Sequence, residues 1–170
     1  MSIVDNAQYF AIAAHGAIGQ KRKYSNDDYI VHPQRVAKIV ETYGGTNSMI
    51  AAAWLHDVLE DTQVSYDTMY DVFGSVITGM VVGLTDVSVP SDGNRKARKN
   101  LDRLHTANAT ADSQFIKCAD IMDNAFDIYD CDPNFWKVYK AEMLMVLDVM
   151  RKEVKEKTIW KRALEVVERI

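Results

Sequence analysis

Apolar residues in "PQRVAKIVETY" recur as Val36, Ile39, Val40 and Tyr43, the i, i+3, i+4, i+7 spacing of one helix face. Pro33 suits the first turn of that helix, and Gly44-Gly45 stops it. The same period runs through nearly the whole chain. It predicts further helices over about 3–20, 48–61, 65–73, 75–87, 94–107, 113–130, 133–156 and 158–169, with breaks at Gly74, "SVPSDG" and "CDPN". Asp132 and Pro133 read as the N-cap and first residue of one of these helices. No segment alternates apolar and polar residues between hairpin turns, so no sheet is required. The expectation is an all-α fold: a single compact helical bundle over 1–170, without repeats, low-complexity tracts or long linkers.

A chain of 170 residues, 48% hydrophobic, has the size of one ordinary domain and buries roughly 70% of the surface its unfolded form exposes. Cys118 and Cys131 form no CxxC pattern, and the N-terminus lacks the basic start and apolar run of a signal peptide. A reduced, cytoplasmic protein is expected. No apolar run approaches the roughly 20 residues that span a bilayer, which predicts a soluble protein without a membrane partner. A formal net charge of −4 argues against a nucleic-acid partner, although Arg95, Lys96, Arg98, Lys99 and Arg103 form one local basic stretch.

Within this helical frame, "AAAWLHDVLEDTQVSY" places His56, Asp57, Glu60 and Asp61 beside Ala51, Ala52, Ala53, Trp54, Leu55, Val58 and Leu59. On a helix advancing about 100° per residue these four fall within an arc of roughly 140° and can address one cleft. Burying so many ionisable groups is costly unless a cation partners them. His56 and Asp57 offer one nitrogen and one oxygen, too few for a closed site, so further ligands must come from elsewhere. His32, just before Pro33, is one candidate. Asp120 is another, in "FIKCADIMDNAFD", whose Phe115, Ile116, Ala119, Met122 and Phe126 look core-facing. Two histidines and two aspartates suit Mn²⁺, Fe²⁺ or Zn²⁺ better than Ca²⁺.

The order "YIVHP", "AAWLHDVLEDT", "FG", "KCADIMDN" resembles the metal-dependent HD hydrolases of the RelA/SpoT type, and within them the single-domain small alarmone hydrolases. The likeness covers about residues 8–130, leaving helices over 133–170 to complete an HD-domain bundle. An HD dipeptide alone is a weak signal. HDxxEDT with an upstream HP, an upstream basic pair and a downstream ADxxxN is specific. The resemblance implies that His32, His56, Asp57 and Asp120 hold one Mn²⁺, with Zn²⁺ or Fe²⁺ as alternatives, and that Glu60 and Asp61 are the catalytic pair. The chemistry agrees, since a metal lowers the pKa of water and a carboxylate one turn from His56 can orient that water or take its proton. By the same resemblance Arg22 and Lys23 of "GQKRKY" hold a purine, Asn124 contacts ribose, and Lys117 sits near phosphate or the carboxylates. The implied reaction removes the 3′-pyrophosphate of (p)ppGpp, giving GDP or GTP and pyrophosphate. There is no room for the synthetase of larger family members, so the chain is expected only to degrade this small-molecule nucleotide.

Plainer readings exist for each residue. His56 to Asp61 could be a solvated helix end, His32 an N-cap, and Arg22-Lys23 a solvated basic loop. Asp120, Asp123, Asn124 and Asp127 could form an exposed polar stripe. His15 is read as structural or as support for a ligand, and His105 as a surface residue. Met143, Met145 and Met150 read as core filling and Cys118 as a buried inert thiol. "RKEVKEKTIWKR" reads as a solvated face, with a homo-oligomer contact left open. Competing functions are a phosphohydrolase acting on ppApp, NADPH or a nucleoside monophosphate, and a non-catalytic alarmone sensor. The retained acidic pair favours the alarmone hydrolase.

Overall fold

Among the described residues, 1–169 of this computed structural model, the chain forms α1 (Ile3–Ala17), α2 (Val31–Thr42), α3 (Asn47–Leu55), α4 (Val58–Asp61) and α5 (Tyr66–Val82). These are followed by α6 (Arg95–Asn108), α7 (Ala111–Cys131), α8 (Pro133–Asp148), α9 (Lys152–Lys155) and α10 (Thr158–Arg169). Pro90–Asp92 makes one 3₁₀ turn, and Lys21 and Asp28 make one isolated bridge. No strand occurs among these residues, as the all-α expectation requires.

Short-range side-chain chemistry starts the helices. Ser2 accepts from the N–H of Asp5 at 3.1 Å and Asp5 accepts from the N–H of Ser2 at 2.9 Å, a reciprocal box opening α1. Thr46, Ser65, Asn94, Thr110 and Asp132 cap α3, α5, α6, α7 and α8 through their own side-chain oxygens. Asp132 and Pro133 are the N-cap and first residue of α8, as expected.

Two compact units divide the chain, Met1–Thr85 and Asp86–Ile170. In the first, α3 packs against α1, α2 and α5. Met49 and the run from Ala51 to Leu55 are all buried, so α3 is apolar on every side, as a central helix must be. The three alanines let neighbouring helices approach closely, and Leu55 fills the space left; Leu55→Ala should cost about 2–5 kcal/mol. At Gly74 the backbone takes φ +74° and ψ 175°, which splits α5 into two segments where the sequence predicts a break. In the second unit α7 is central and packs against α8, α9 and α10, while α6 packs against α8. Gln114 is fully buried and uses both ends of its amide: Nε2 donates to the carbonyl of Thr106 at 2.8 Å, and Oε1 accepts from the N–H of Arg151 at 2.8 Å.

Several predicted boundaries move. The helix predicted over 3–20 ends at Ala17, and that predicted over 75–87 ends at Val82. The helix predicted over 133–156 breaks between Asp148 and Lys152, where Arg151 is extended and its N–H goes to Gln114 instead of continuing a helical ladder. Within α7, Phe126 is 47% exposed instead of core-facing. Met150 is buried as expected, whereas Met145 is exposed and Met143 half-buried.

Candidate active site

The helix expected over 48–61 is in fact two. His56 closes α3, and Asp57 precedes α4 with φ −97° and ψ −2°, the sparsely populated region where many active-site residues lie. His56 Nδ1 donates to the carbonyl of Ala53 at 2.8 Å, so its side chain competes for a carbonyl of the helix ladder. That bond places the proton on Nδ1 and leaves the lone pair on Nε2. His32 sits in the first turn of α2, inside the helix and not at its N-cap, which is Ile30.

These turns bring three donor atoms together. His32 Nε2 and His56 Nε2 are 3.2 Å apart, and Asp57 Oδ2 lies 3.0 Å from His56 Nε2 and 3.6 Å from His32 Nε2. All three candidate ligand atoms fall within 4.8 Å of one another. Two buried imidazoles aimed at a carboxylate are a donor set that fits a divalent transition-type cation, with nitrogen and oxygen ligands mixed. Tyr29 holds the carboxylate, its hydroxyl donating to Asp57 Oδ2 at 2.5 Å.

Glu60 and Asp61 lie one turn further on, exposed on α4. Asp61 Oδ2 accepts from Gln20 Nε2 at 2.8 Å. The basic pair lies in the loop before α2. Arg22 sits 5.8 Å from the Tyr29 ring centroid, on the residue that holds Asp57, and Lys23 sits 4.7 Å from the Tyr24 ring. His15 is buried on α1, as the structural reading expects.

Asp120, Lys117 and Asn124 share one face of α7 in the second unit. Lys117 Nζ donates to Asp120 Oδ2 at 2.8 Å and Asn124 Nδ2 to Oδ1 at 2.6 Å, the i,i+3 and i,i+4 neighbours that helix geometry provides. Burial works against the Lys117 charge, but the carboxylates of Asp120 and Asp86 overcome it and hold its pKa well above the ordinary lysine value. The exposed-stripe reading fails for Asp120 and Asp123, both 7% exposed.

Around this face the second unit contains a cavity of about 1030 Å³, lined by Lys117, Asp120 and Asn124, by Arg95, Lys96, Lys99 and Arg103 of the basic stretch, and by Phe135, Tyr139, Met143 and Met145. Met143 and Met145, read as core filling, thus line a cavity, while Met150 does fill the core. Two of the cavity's cations are matched by acids: Arg95 donates twice to Glu142, at 2.8 and 2.7 Å, and Lys99 donates to Asp86 at 2.5 Å and Asp102 at 3.3 Å. Cys118 is buried against Met150, and burial pushes its thiol pKa up, which agrees with an inert group.

Tyr29 and Gln20 are contacts the sequence reading did not assign. Both lie inside quoted motifs, "YIVHP" and "GQKRKY", but neither is a metal-type ligand, and only the fold shows what their side chains reach.

Comparison with known proteins gives the same frame. The HD domain family matches residues 7–118. A probable GTP diphosphokinase from Arabidopsis thaliana, RSH3, is 35% identical over 76% of this chain, which spans 18% of that protein's length. The zebrafish (Danio rerio) protein named guanosine-3′,5′-bis(diphosphate) 3′-pyrophosphohydrolase MESH1 is 31% identical over 67% of this chain and 63% of its own length. The chain therefore spans less than two thirds of either relative. A solved structure described as a metazoan orthologue of SpoT that hydrolyses ppGpp aligns with a TM-score of 0.83 at 25% identity, covering 99% of this chain and 95% of that one. The motif order, the helical frame and the matched residues agree: the chain belongs to the HD-domain family, beside the RelA/SpoT-type proteins it resembles.

Proposed function

We propose that this chain is a Mn²⁺-dependent hydrolase of the 3′-pyrophosphate of (p)ppGpp, yielding GDP or GTP and pyrophosphate in the cytoplasm. The observation that carries the reading is the convergence of His32, His56 and Asp57 with an acidic pair one helical turn away. The zebrafish relative is named for this reaction and the solved structure is described as that of a protein that hydrolyses ppGpp, and the basic loop and the cation-lined cavity each suit a highly phosphorylated ligand.

A divalent cation at this centre supplies Lewis acidity and neutralises phosphate charge. The protein's own groups do the rest. His32, His56 and Asp57 ligate, and Tyr29 keeps the Asp57 carboxylate turned inward. Glu60 and Asp61 orient the water and take its proton as its oxygen bonds to the phosphorus on the ribose 3′ oxygen. That P–O bond breaks, and the leaving 3′ oxygen takes up a proton. The sequence motif further assigns Asp120 as fourth ligand, Arg22 and Lys23 to the purine, Asn124 to the ribose and Lys117 to a phosphate or to Asp120.

The test is product analysis of ppGpp incubated with purified protein, with Mn²⁺ and with chelator, beside ppApp, NADPH and nucleoside monophosphates. GDP and pyrophosphate appearing only with metal is the expected result. Intact ppGpp with another nucleotide cleaved overturns the substrate, and no turnover of any nucleotide overturns the enzyme.

A further inference from the structure

Gln20 is not explained by the metal centre, yet both ends of its side chain are engaged. Its amide nitrogen donates to Asp61 Oδ2 at 2.8 Å, and its amide oxygen lies 2.6 Å from His15 Nδ1. A carboxylate accepts, so the nitrogen end must face Asp61. The oxygen end then faces His15, and an amide oxygen only accepts, so the His15 proton sits on Nδ1. The polarity of the chain of bonds is set from His15 through Gln20 to Asp61.

Local sequence builds this arrangement. The N–H of Gln20 donates to the carbonyl of His15 at 3.2 Å and the N–H of Gly19 to that of Gly16 at 3.0 Å, with Gly19 at φ +62°. This is the Schellman stop of α1, and it returns Gln20 to His15 five residues earlier. The N–H of Tyr29 donates to the carbonyl of Gln20 at 3.1 Å and pins the other side. His15 is 2% exposed, its ring 4.9 Å from that of Tyr29, and its Nε2 is buried without a hydrogen-bond partner. An apolar side chain would fill this position without burying an unsatisfied nitrogen. What an apolar side chain lacks is the Nδ1–H that orients Gln20.

Resting on the catalytic reading of Asp61, we infer that His15 and Gln20 are positioning residues that orient the Asp61 carboxylate. Oδ2 is committed to the Gln20 amide, and Oδ1 is left to the reacting water or the leaving oxygen. Asp61 is exposed on a four-residue helix, so this tether restricts a side chain that would otherwise turn in solvent.

Four variants test it. Gln20→Glu keeps size and an acceptor toward His15 but turns a carboxylate toward Asp61, and Gln20→Ala removes both bonds. His15→Asn keeps an N–H where Nδ1 stood, and His15→Leu removes it. With Mn²⁺ and ppGpp, kcat should fall on the order of 10- to 100-fold in both Gln20 variants with KM within about threefold. His15→Asn should recover most of the kcat that His15→Leu loses. In metal-free protein, ¹⁵N side-chain spectra should show His15 protonated on Nδ1, and Gln20→Ala should release that state without unfolding the chain.

Parental kcat in both Gln20 variants overturns the inference. Equal loss in His15→Asn and His15→Leu does so too, as does a His15 proton on Nε2. Asp61→Asn separates the two levels. Parental turnover in that variant, or no turnover of any nucleotide by the parent, overturns the catalytic reading and the positioning role with it. Lost turnover in Asp61→Asn beside parental turnover in Gln20→Ala overturns the positioning role alone.

Discussion

In the first unit Asp57 lies among nitrogen donors, 3.0 Å from His56 Nε2 and 3.6 Å from His32 Nε2, whereas in the second unit Asp120 lies between Lys117 at 2.8 Å and Asn124 at 2.6 Å. Asp57 faces two imidazole nitrogens and accepts from one hydroxyl, whereas Asp120 accepts from an ammonium and an amide. The first arrangement suits a cation from solution, and the second carries its own cation. The contrast extends outward. Tyr29 and Gln20 hold Asp57 and Asp61 by hydrogen bonds from uncharged donors, while Arg95–Glu142 and Lys99–Asp86–Asp102 are ion pairs.

The largest effect expected from this difference concerns chemistry without binding. Glu60→Gln should reduce turnover by about 10²- to 10⁴-fold while the Mn²⁺-induced rise in melting temperature persists; a parental rate would place the chemistry elsewhere. Next is Lys117→Met, which takes the built-in cation from Asp120 and should cost about 3 kcal/mol in denaturant unfolding. A near-neutral result there would dissolve the contrast between the units. Metal binding comes third. Mn²⁺ at a hundredfold excess over its Kd should stabilise the fold by about 2.7 kcal/mol, and His56→Ala should remove that rise. Asp120→Ala should remove it as well if Asp120 is the fourth ligand, so a parental response sharpens the comparison by leaving Asp120 to Lys117.

Asp102 gives a smaller effect with a pH signature. Burial raises its pKa, but the N–H and hydroxyl of Ser88 and the Lys99 ammonium outweigh it and hold the carboxyl below its ordinary value. A depressed carboxylate contributes stability above its unfolded value of about 3.9 and loses it as the pH falls through the folded one. Asp102→Asn should therefore cost about 2 kcal/mol at pH 7, with parent and variant converging under acid. Smallest is Arg95→Ala. Its partly exposed pair with Glu142 should be worth about 1 kcal/mol or less, and less still in high salt.

Helix positions were largely legible in the sequence because their signals act over three or four residues. Ser2 with Asp5, Asp132 before Pro133, and the break at Gly74 all stand where local chemistry puts them. The His32, His56 and Asp57 cluster was legible too, through its motifs. Not legible was the break between α3 and α4, because apolar residues flank it on both sides and the departure from helix geometry is small. Phe126 exposed and Asp123 buried on one helix show the same limit: periodicity sets which residues share a face, and packing sets which face is covered.

The sequence by itself determined an all-α chain, where its helices begin, and the residues able to ligate a metal, since each depends on neighbours a few positions apart or on side-chain chemistry alone. Only the tertiary structure decided that Tyr29 reaches Asp57 across 28 positions and Gln20 reaches Asp61 across 41, because such bonds exist only after the packing of α1, α2 and α5 around α3 has brought distant segments to within 3 Å.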